Sequence, residues 1–420
     1  MLKNIHTLIL IGLAAVLVSC GDDDDDDVVT SMGETEETTE PYEPTRTVMV
    51  YVMAENNLNS YATADISEMT EGSRSIDDDD CLVAFVDKTS SDPYIIRICD
   101  GKQERDTLFN ADGGDFYASD PEEMLGVLEW MMERYPADSY GLVLWGHASG
   151  WIIRSDTIAT RSQRRAYGYD SGSDLDDENN EGSVWINIPT LADVLEELPE
   201  RLDFIFADCC NFQCAEVAYE LRNTCDYIIG SPAEITGIGA PYETVVPALF
   251  DKADDFYEDV VDCYFAQTDG EDHQVPLSVI KTSEMESLAD ATRDIMQILA
   301  KPVDTDGVIY YRGYSTSEGW AKVMPDINDI FLVNVADSTA YDEWKGQLDN
   351  AVIYKAWTPV WTTSDFVNFD FTGTDERYGG MSMFIPQEIF DIYTTSYDYN
   401  GTISQMEWYS AAGVDDYVAR

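Results

Sequence analysis

The most constraining stretch of this chain is LDFIFADCCNFQCAEVAYEL, Leu202 to Leu221. Its apolar run (Leu202, Phe204, Ile205, Phe206, Ala207) stops abruptly at Asp208-Cys209-Cys210. A short polar link, Asn211 to Gln213, then leads into a helical pattern from Cys214 to Leu221. Short apolar run, sharp turn and helix describe a buried parallel strand handing over to its crossover helix. In open α/β sheets the chemistry gathers just beyond the carboxyl ends of such strands. A thiol there also lies near a helix N-terminus, whose partial positive charge favours thiolate. Inert filling suits the same residues, because cysteine is among the most buried residue types.

A base would separate the two readings, and Tyr140 to Trp151, YGLVLWGHASGW, offers one. Its apolar run Leu142 to Trp145 stops at Gly146-His147-Ala148-Ser149-Gly150. Histidine and cysteine at the tips of neighbouring strands can face each other, which is what a cysteine nucleophile needs. The chain has three histidines. His6 lies in a predicted export signal and His273 in an acidic, loop-like stretch, so His147 is the candidate base. A core histidine bonded to a backbone carbonyl is the competing reading.

These two stretches resemble the clostripain family of cysteine peptidases, which share the caspase-like and hemoglobinase-like α/β fold. Its members carry a strand ending in a histidine-glycine turn and a later strand ending in Asp-Ala-Cys, followed by Glu-Val-Ala-Tyr-Glu-Leu. Here Glu216 to Leu221 reads EVAYEL unchanged and sets the register, so Cys210 matches the nucleophile and Cys209 replaces alanine. Val48 to Leu58 (VMVYVMAENNL), Asp226 to Pro232 (DYIIGSP), Gly379 to Pro386 (GGMSMFIP) and Ile403 to Ala412 (ISQMEWYSAA) also match, so the resemblance covers most of the chain after about residue 46. Two departures stand out: Ala148 where the family usually has glycine, and the doubled cysteine.

The resemblance implies a cysteine endopeptidase. Cys210 attacks a peptide carbonyl, His147 handles the proton, and backbone N–H groups of Ala148 and Cys210 hold the oxyanion. Asp208 lies two residues before Cys210 on a strand, so it projects to the same face. By resemblance it reaches the pocket for the residue preceding the cut and pairs with Arg or Lys, Arg favoured by bidentate bonding. Its other reading is a cap on the next helix. Family members are proenzymes cut between the two strands after a basic residue, which makes Arg161, Arg164 or Arg165 a self-processing candidate. An ordinary exposed loop is equally compatible with those three. No cofactor is required by the sequence; calcium, needed by some relatives, could be bound by the acidic run Asp174 to Glu181, which lacks ordered ligand spacing. Ala148 and the doubled cysteine keep a second reading open: a catalytically silent caspase-fold surface lipoprotein that binds peptides or host proteins. A caspase-fold enzyme of other specificity is a third.

At the start, Lys3, the apolar centre Leu8 to Val18 and the ending Leu17-Val18-Ser19-Cys20 form an export signal, too short to span a membrane. The ending resembles a bacterial lipobox with Cys20 as the lipidated residue. Asp22 to Asp27 resembles a surface-export tag or serves as a solvated spacer, and residues 28–45 read as a disordered tether. The chain is thus expected on the outer membrane, touching it through the lipid anchor only. A formal charge of −58 argues against nucleic acid, which needs basic patches, and either favours cationic substrates by long-range attraction or does no more than keep an exposed protein soluble. The partners that the resemblance implies are protein or peptide substrates with basic residues. Of eight cysteines, seven remain once Cys20 is lipidated, leaving at least one free thiol. No CxxC, HExxH or EF-hand spacing appears.

From residue 46 strands and helices alternate. Strands are expected at Val48–Ala54, Cys81–Asp87, Leu142–Trp145, Leu202–Asp208, Asp226–Ser231, Leu277–Ile280 and Met381–Ile385, with a hairpin at Tyr94–Leu108. Helices are expected at Pro121–Tyr135, Leu191–Leu198, Asp255–Gln267 and Ser283–Leu299. This pattern predicts an α/β, caspase-like, mostly parallel sheet with helices on both faces. The expected layout is signal peptide 1–20, acidic tether 21–45, catalytic core 46–250 and a C-terminal α/β extension 251–420 packed on the core.

Overall fold

The strand β1 (Arg46–Ala54) is buried along its whole length, and its alternate residues serve two different cores. Met49, Tyr51 and Met53 enter one apolar cluster, while Val48, Val50, Val52 and Ala54 enter the other. A strand apolar on both faces belongs in the middle of a sheet covered on both sides. The structure is a computed structural model, describing residues 45–89, 91–106, 116–153, 167–170, 184–266, 275–317, 319–362, 368–370, 375–393 and 397–420. The expected signal, lipidation site Cys20 and tether therefore lie outside the described residues. No helix among the described residues is long and apolar enough to cross a membrane.

In chain order, β1 is followed by α1 (Asn59–Gly72), β2 (Asp80–Lys88), β3 (Ser91–Cys99), β4 (Lys102–Asp106), α2 (Pro121–Arg134) and β5 (Ser139–Trp145). Next come β6 (Tyr167–Asp170), β7 (Val184–Ile186), α3 (Ile188–Glu196), β8 (Leu202–Asp208), α4 (Ala215–Glu220), β9 (Cys225–Gly230), α5 (Tyr242–Leu249) and α6 (Phe256–Ala266). Later elements include β10 (Pro276–Lys281), α7 (Met285–Met296), β11 (Tyr310–Thr316), β12 (Gly319–Pro325), α8 (Ile327–Asn334), α9 (Ser338–Ala351) and β13 (Val352–Trp357).

Nine strands form the main sheet in the order β13-β10-β9-β8-β5-β1-β2-β3-β4. The central β9-β8-β5-β1-β2 are parallel, and antiparallel strands extend both edges. On one edge β3 and β4 form the expected hairpin, turned at Asp100-Gly101, both with positive φ as a two-residue type I′ turn requires. On the other, β10 and β13 come from the C-terminal part of the chain and continue the same sheet. One face is covered by α1, α5 and α6, through Ile66, Val245 and Val260 among others. The opposite face is covered by α2, α3, α4 and α7, through Leu128, Leu191, Val217 and Leu288.

The expected strand Met381–Ile385 does not form. Met381, Met383, Phe384 and Ile385 are buried, but only isolated bridges from Ser382 to Cys214 and to Asp326 occur. The backbone bonds scatter instead. Ser382 N–H donates to the Gln213 carbonyl (3.0 Å), Met383 N–H to the Pro325 carbonyl (3.1 Å) and Phe384 N–H to the Glu216 side chain (2.6 Å). An apolar run between a glycine pair and a proline can be buried as a plug as well as a strand, and pattern alone does not separate the two.

Candidate active site

The parallel register aligns the tips of β5 and β8, with Trp145 paired to Asp208. His147 and Cys210 therefore each stand two residues beyond the same rung of the ladder. The turns that carry them pack together. Gly150 has φ +64°, and a Cβ on it would lie 2.6 Å from the Asn211 carbonyl oxygen and 2.8 Å from Cys214 Sγ, so only glycine fits that approach. Directly after Cys210 the chain reverses at Asn211, in the left-handed conformation (φ +56°) that asparagine tolerates better than most residues. Asn211 is buried; its N–H donates to the Ala233 carbonyl (2.8 Å) and its Nδ2 to the Pro232 carbonyl (2.9 Å).

The two adjacent cysteines have opposite environments. Cys209 points into the core, 1% exposed, and burial pushes its thiol well above the ordinary range. Cys210 is half-buried on the other face, its Sγ 3.7 Å from the Ile235 carbonyl. The helix after them starts only at Ala215, and the thiol at its N-terminal cap is that of Cys214, which burial also pushes up. The expectation that the helix end would serve Cys210 is corrected accordingly: the reversal at Asn211 puts a four-residue link between thiol and helix, and the dipole effect fades within one turn. None of the seven described cysteines is in a disulfide.

His147 is half-buried, and its Nε2 lies 2.8 Å from Asn57 Oδ1. With Oδ1 as acceptor, Nε2 carries the hydrogen and Nδ1 the lone pair. Asn57 is presented by its neighbour: Asn56 accepts from Leu58 N–H (2.8 Å) and donates to the Met53 carbonyl (3.1 Å), an Asx turn at the exit of β1. Sequence reasoning missed Asn57. The available signal was that β1 runs beside β5 in parallel, Val52 opposite Trp145, so residues beyond Ala54 emerge beside the histidine turn.

Ala148 is buried and bridges to Tyr167. Among described residues only Asp100 and Asn211 are non-glycine positions with positive φ, so alanine at 148 carries no backbone strain. Asp208 is 5% exposed and does not cap α4. Its Oδ2 accepts from Ala240 N–H (3.0 Å) and the Tyr242 hydroxyl (2.8 Å), while Oδ1 is buried with no partner. Burial pushes its carboxyl up to about 6 against those two hydrogen bonds.

Arg161, Arg164, Arg165, the acidic run Asp174–Glu181 and His273 lie outside the described residues. One acidic trio among the described residues could share a cation: Glu55, Asp87 and Asp170, all buried, with ligand oxygens within 4.8 Å of one another.

The clostripain family's sequence profile matches residues 50–415. The chain belongs to the clostripain family of cysteine peptidases. Clostripain of Hathewaya histolytica is 25% identical over 224 residues, covering 47% of this chain; the chain spans 41% of that longer relative. A secreted C11 cysteine protease of Bacteroides thetaiotaomicron, solved with an irreversible peptide inhibitor, superposes with a TM-score of 0.72 at 31% identity, covering 88% of this chain and 99% of that one. An inactive zymogen of a C11 protease from Parabacteroides distasonis superposes with a TM-score of 0.68 at 25% identity, covering 88% and 98%.

Proposed function

We propose that this chain is an exported cysteine endopeptidase that cuts after basic residues, arginine over lysine, with Cys210 as nucleophile and His147 as base. The observation that carries the reading is the packing of two turns from register-matched strand tips, with Cys210 half-buried beside a sealed Cys209. The thiol proton passes to His147, and the thiolate attacks the carbonyl, breaking its π bond to form a tetrahedral oxyanion. Backbone N–H groups of Ala148 and Cys210 hold that oxyanion. The imidazolium returns its proton to the leaving amine as the C–N bond breaks, and water then hydrolyses the thioester. Asn57 holds the imidazole in the tautomer this needs.

Asp208 supplies the negative charge for the basic side chain, and its buried, unpartnered Oδ1 supports that role. The unstrained Ala148 and the core-facing Cys209 weigh against the silent alternative, since those two departures were its grounds. Export and a lipid anchor at Cys20 belong to the same proposal, supported by the secreted relative. So does self-processing after Arg161, Arg164 or Arg165, supported by the relative solved as a zymogen. The test is a peptide-library cleavage profile of wild type and Cys210→Ala, with mass spectrometry of the chain after incubation. Cleavage by the Cys210→Ala protein, or a profile without Arg and Lys before the cut, refutes the reading.

A further inference from the structure

Asp65, on α1, is a second buried carboxylate at the tips of β5 and β8. It is 2% exposed, and its Oδ2 accepts the indole N–H of Trp145 at 2.7 Å. Trp145 is the residue paired with Asp208 across the ladder. The two carboxylates converge on one point of backbone: a Cβ on Gly239 would lie 2.8 Å from Asp208 Oδ2 and 3.2 Å from Asp65 Oδ2. Gly239 has φ +68°, so both the conformation and the space there exclude a side chain.

The titratable groups facing this pair are Glu68, which accepts Tyr242 N–H at 3.2 Å, and the phenols of Tyr242 and Tyr264, the last of which also faces the thiol of Cys210. None of them is a cation. Two carboxylates buried together with no counter-charge among the described residues are costly unless one binds a proton or a cationic ligand enters. The unpartnered Asp208 Oδ1 marks where acceptor capacity is left over.

We propose that Asp65 is a second specificity-determining acid of the pocket for the basic side chain, and that the Asp65–Asp208 pair exchanges one proton for the incoming cationic head. The inference rests on the reading of Cys210 as a nucleophile that cuts after basic residues. Burial first, and Asp208 second, push the Asp65 carboxyl up to about 8, and Asp208 stands at about 6. Near neutral pH the pair therefore holds one proton, on Asp65. Arrival of a guanidinium or ammonium releases it. Apparent affinity for a basic substrate consequently rises with pH and levels off once pH passes the Asp65 value.

The test compares peptide amides carrying arginine or its neutral isostere citrulline before the cut, with full-chain enzyme, from about pH 5 to about pH 9. In wild type, 1/KM for the arginine substrate climbs with pH through about 8 and levels off above it, while the citrulline substrate shows no such climb. Asp65→Asn raises KM for the arginine substrate roughly tenfold or more at the plateau, with kcat within about twofold, on the scale of one lost charge-assisted contact. It also erases the upper part of the climb. Trp145→Phe provides a second handle, removing the donor that favours ionised Asp65, so the plateau moves to higher pH. An Asp65→Asn enzyme with wild-type KM and an unchanged pH profile overturns the role of Asp65, as does an unshifted profile in Trp145→Phe. A wild-type enzyme that cuts arginine and citrulline substrates equally instead overturns the basic-pocket reading beneath it.

Discussion

Two of the regions that bury acidic side chains use them differently. At the tips of β5 and β8, Asp65 and Asp208 lie side by side. In the seam between α4 and the C-terminal segment, Glu216 lies alone among apolar groups, its Oε1 accepting the Phe384 N–H at 2.6 Å. Glu220, one turn on, accepts the N–H of Glu407. Glu216 is pushed up to about 8 by burial, with no second acid among the causes. A lone buried acid keeps its proton, and Glu216 then serves as a fixed staple through Oε1, its buried Oε2 having no partner. Two adjacent acids can trade that proton for a cation, and so remain responsive to a ligand. EVAYEL, the most distinctive motif in the sequence, therefore belongs to the seam; its two glutamates fasten the C-terminal segment to the core.

The comparison breaks most sharply at the thiols. Cys210→Ala is expected to lower kcat by at least about a thousandfold with little change in stability, because a lost nucleophile is not replaced by the remaining groups. Cys209→Ala should keep activity and cost roughly 1 kcal/mol of stability through a small cavity. Peptide cleavage and urea unfolding of both variants measure this, and the reverse pattern moves the nucleophile to Cys209.

The seam should respond in stability and not in chemistry. Glu216→Ala leaves the Phe384 N–H without its partner and opens a cavity, for an expected loss of about 2–4 kcal/mol. Activity per folded molecule should hold. Glu216→Gln keeps an acceptor and tests the proton. The folded carboxyl titrates near 8 and an unfolded glutamate near about 4.3, so the folded state binds the extra proton between them. That contribution is complete below the lower value and is lost as pH rises to the upper one, at up to about 1.4 kcal/mol per pH unit. Glu216→Gln should therefore flatten the decline in unfolding midpoint from acid to neutral pH. It should not abolish it, because Asp65, Asp208, Glu220 and Asp326 are raised as well.

The parallel centre of the sheet and both strand tips were legible in the sequence because buried apolar runs ending in polar turns have few other solutions. Cys210 was separable from Cys209 there only by the register of EVAYEL; in the turn beyond β8 one thiol is sealed in the core and the other is half-buried. The plug at Met381–Ile385 was not legible, since its burial depends on partners as distant in sequence as Gln213 and Pro325. Asp65 was hidden for a related reason. A single aspartate on an amphipathic helix reads as solvated until the fold sets it beneath Trp145 and against Asp208.

Asn57 gives a smaller effect than the thiol or the staple, but one specific to the tip. Asn57→Ala removes the acceptor on His147 Nε2 and should lower kcat about tenfold, the worth of one hydrogen bond that holds an imidazole in place. KM should change little, and the limb of the kcat/KM profile due to the histidine should shift. Asn57→Asp, which keeps an acceptor and adds charge, should recover activity and move that limb to higher pH, because the carboxylate favours imidazolium. Equal kcat in all three proteins would reduce Asn57 to a loop residue.

The smallest expected change is at Ala148, where this chain departs from the usual family glycine. If glycine were needed there for its conformational freedom, alanine would have to sit at positive φ, and among the described residues it does not. Its backbone N–H is unaltered by the side chain, so donation to an oxyanion does not depend on which of the two residues is present. Ala148→Gly should accordingly leave kcat/KM within about twofold. It should cost a few tenths to about 1 kcal/mol of stability, because glycine gains more freedom in the unfolded chain. A large gain in kcat would mean that the methyl group of Ala148, a residue 6% exposed beyond the tip of β5, obstructs the substrate carbonyl, and this turn would then join the proposed Asp65–Asp208 pair as a determinant of what the cleft accepts.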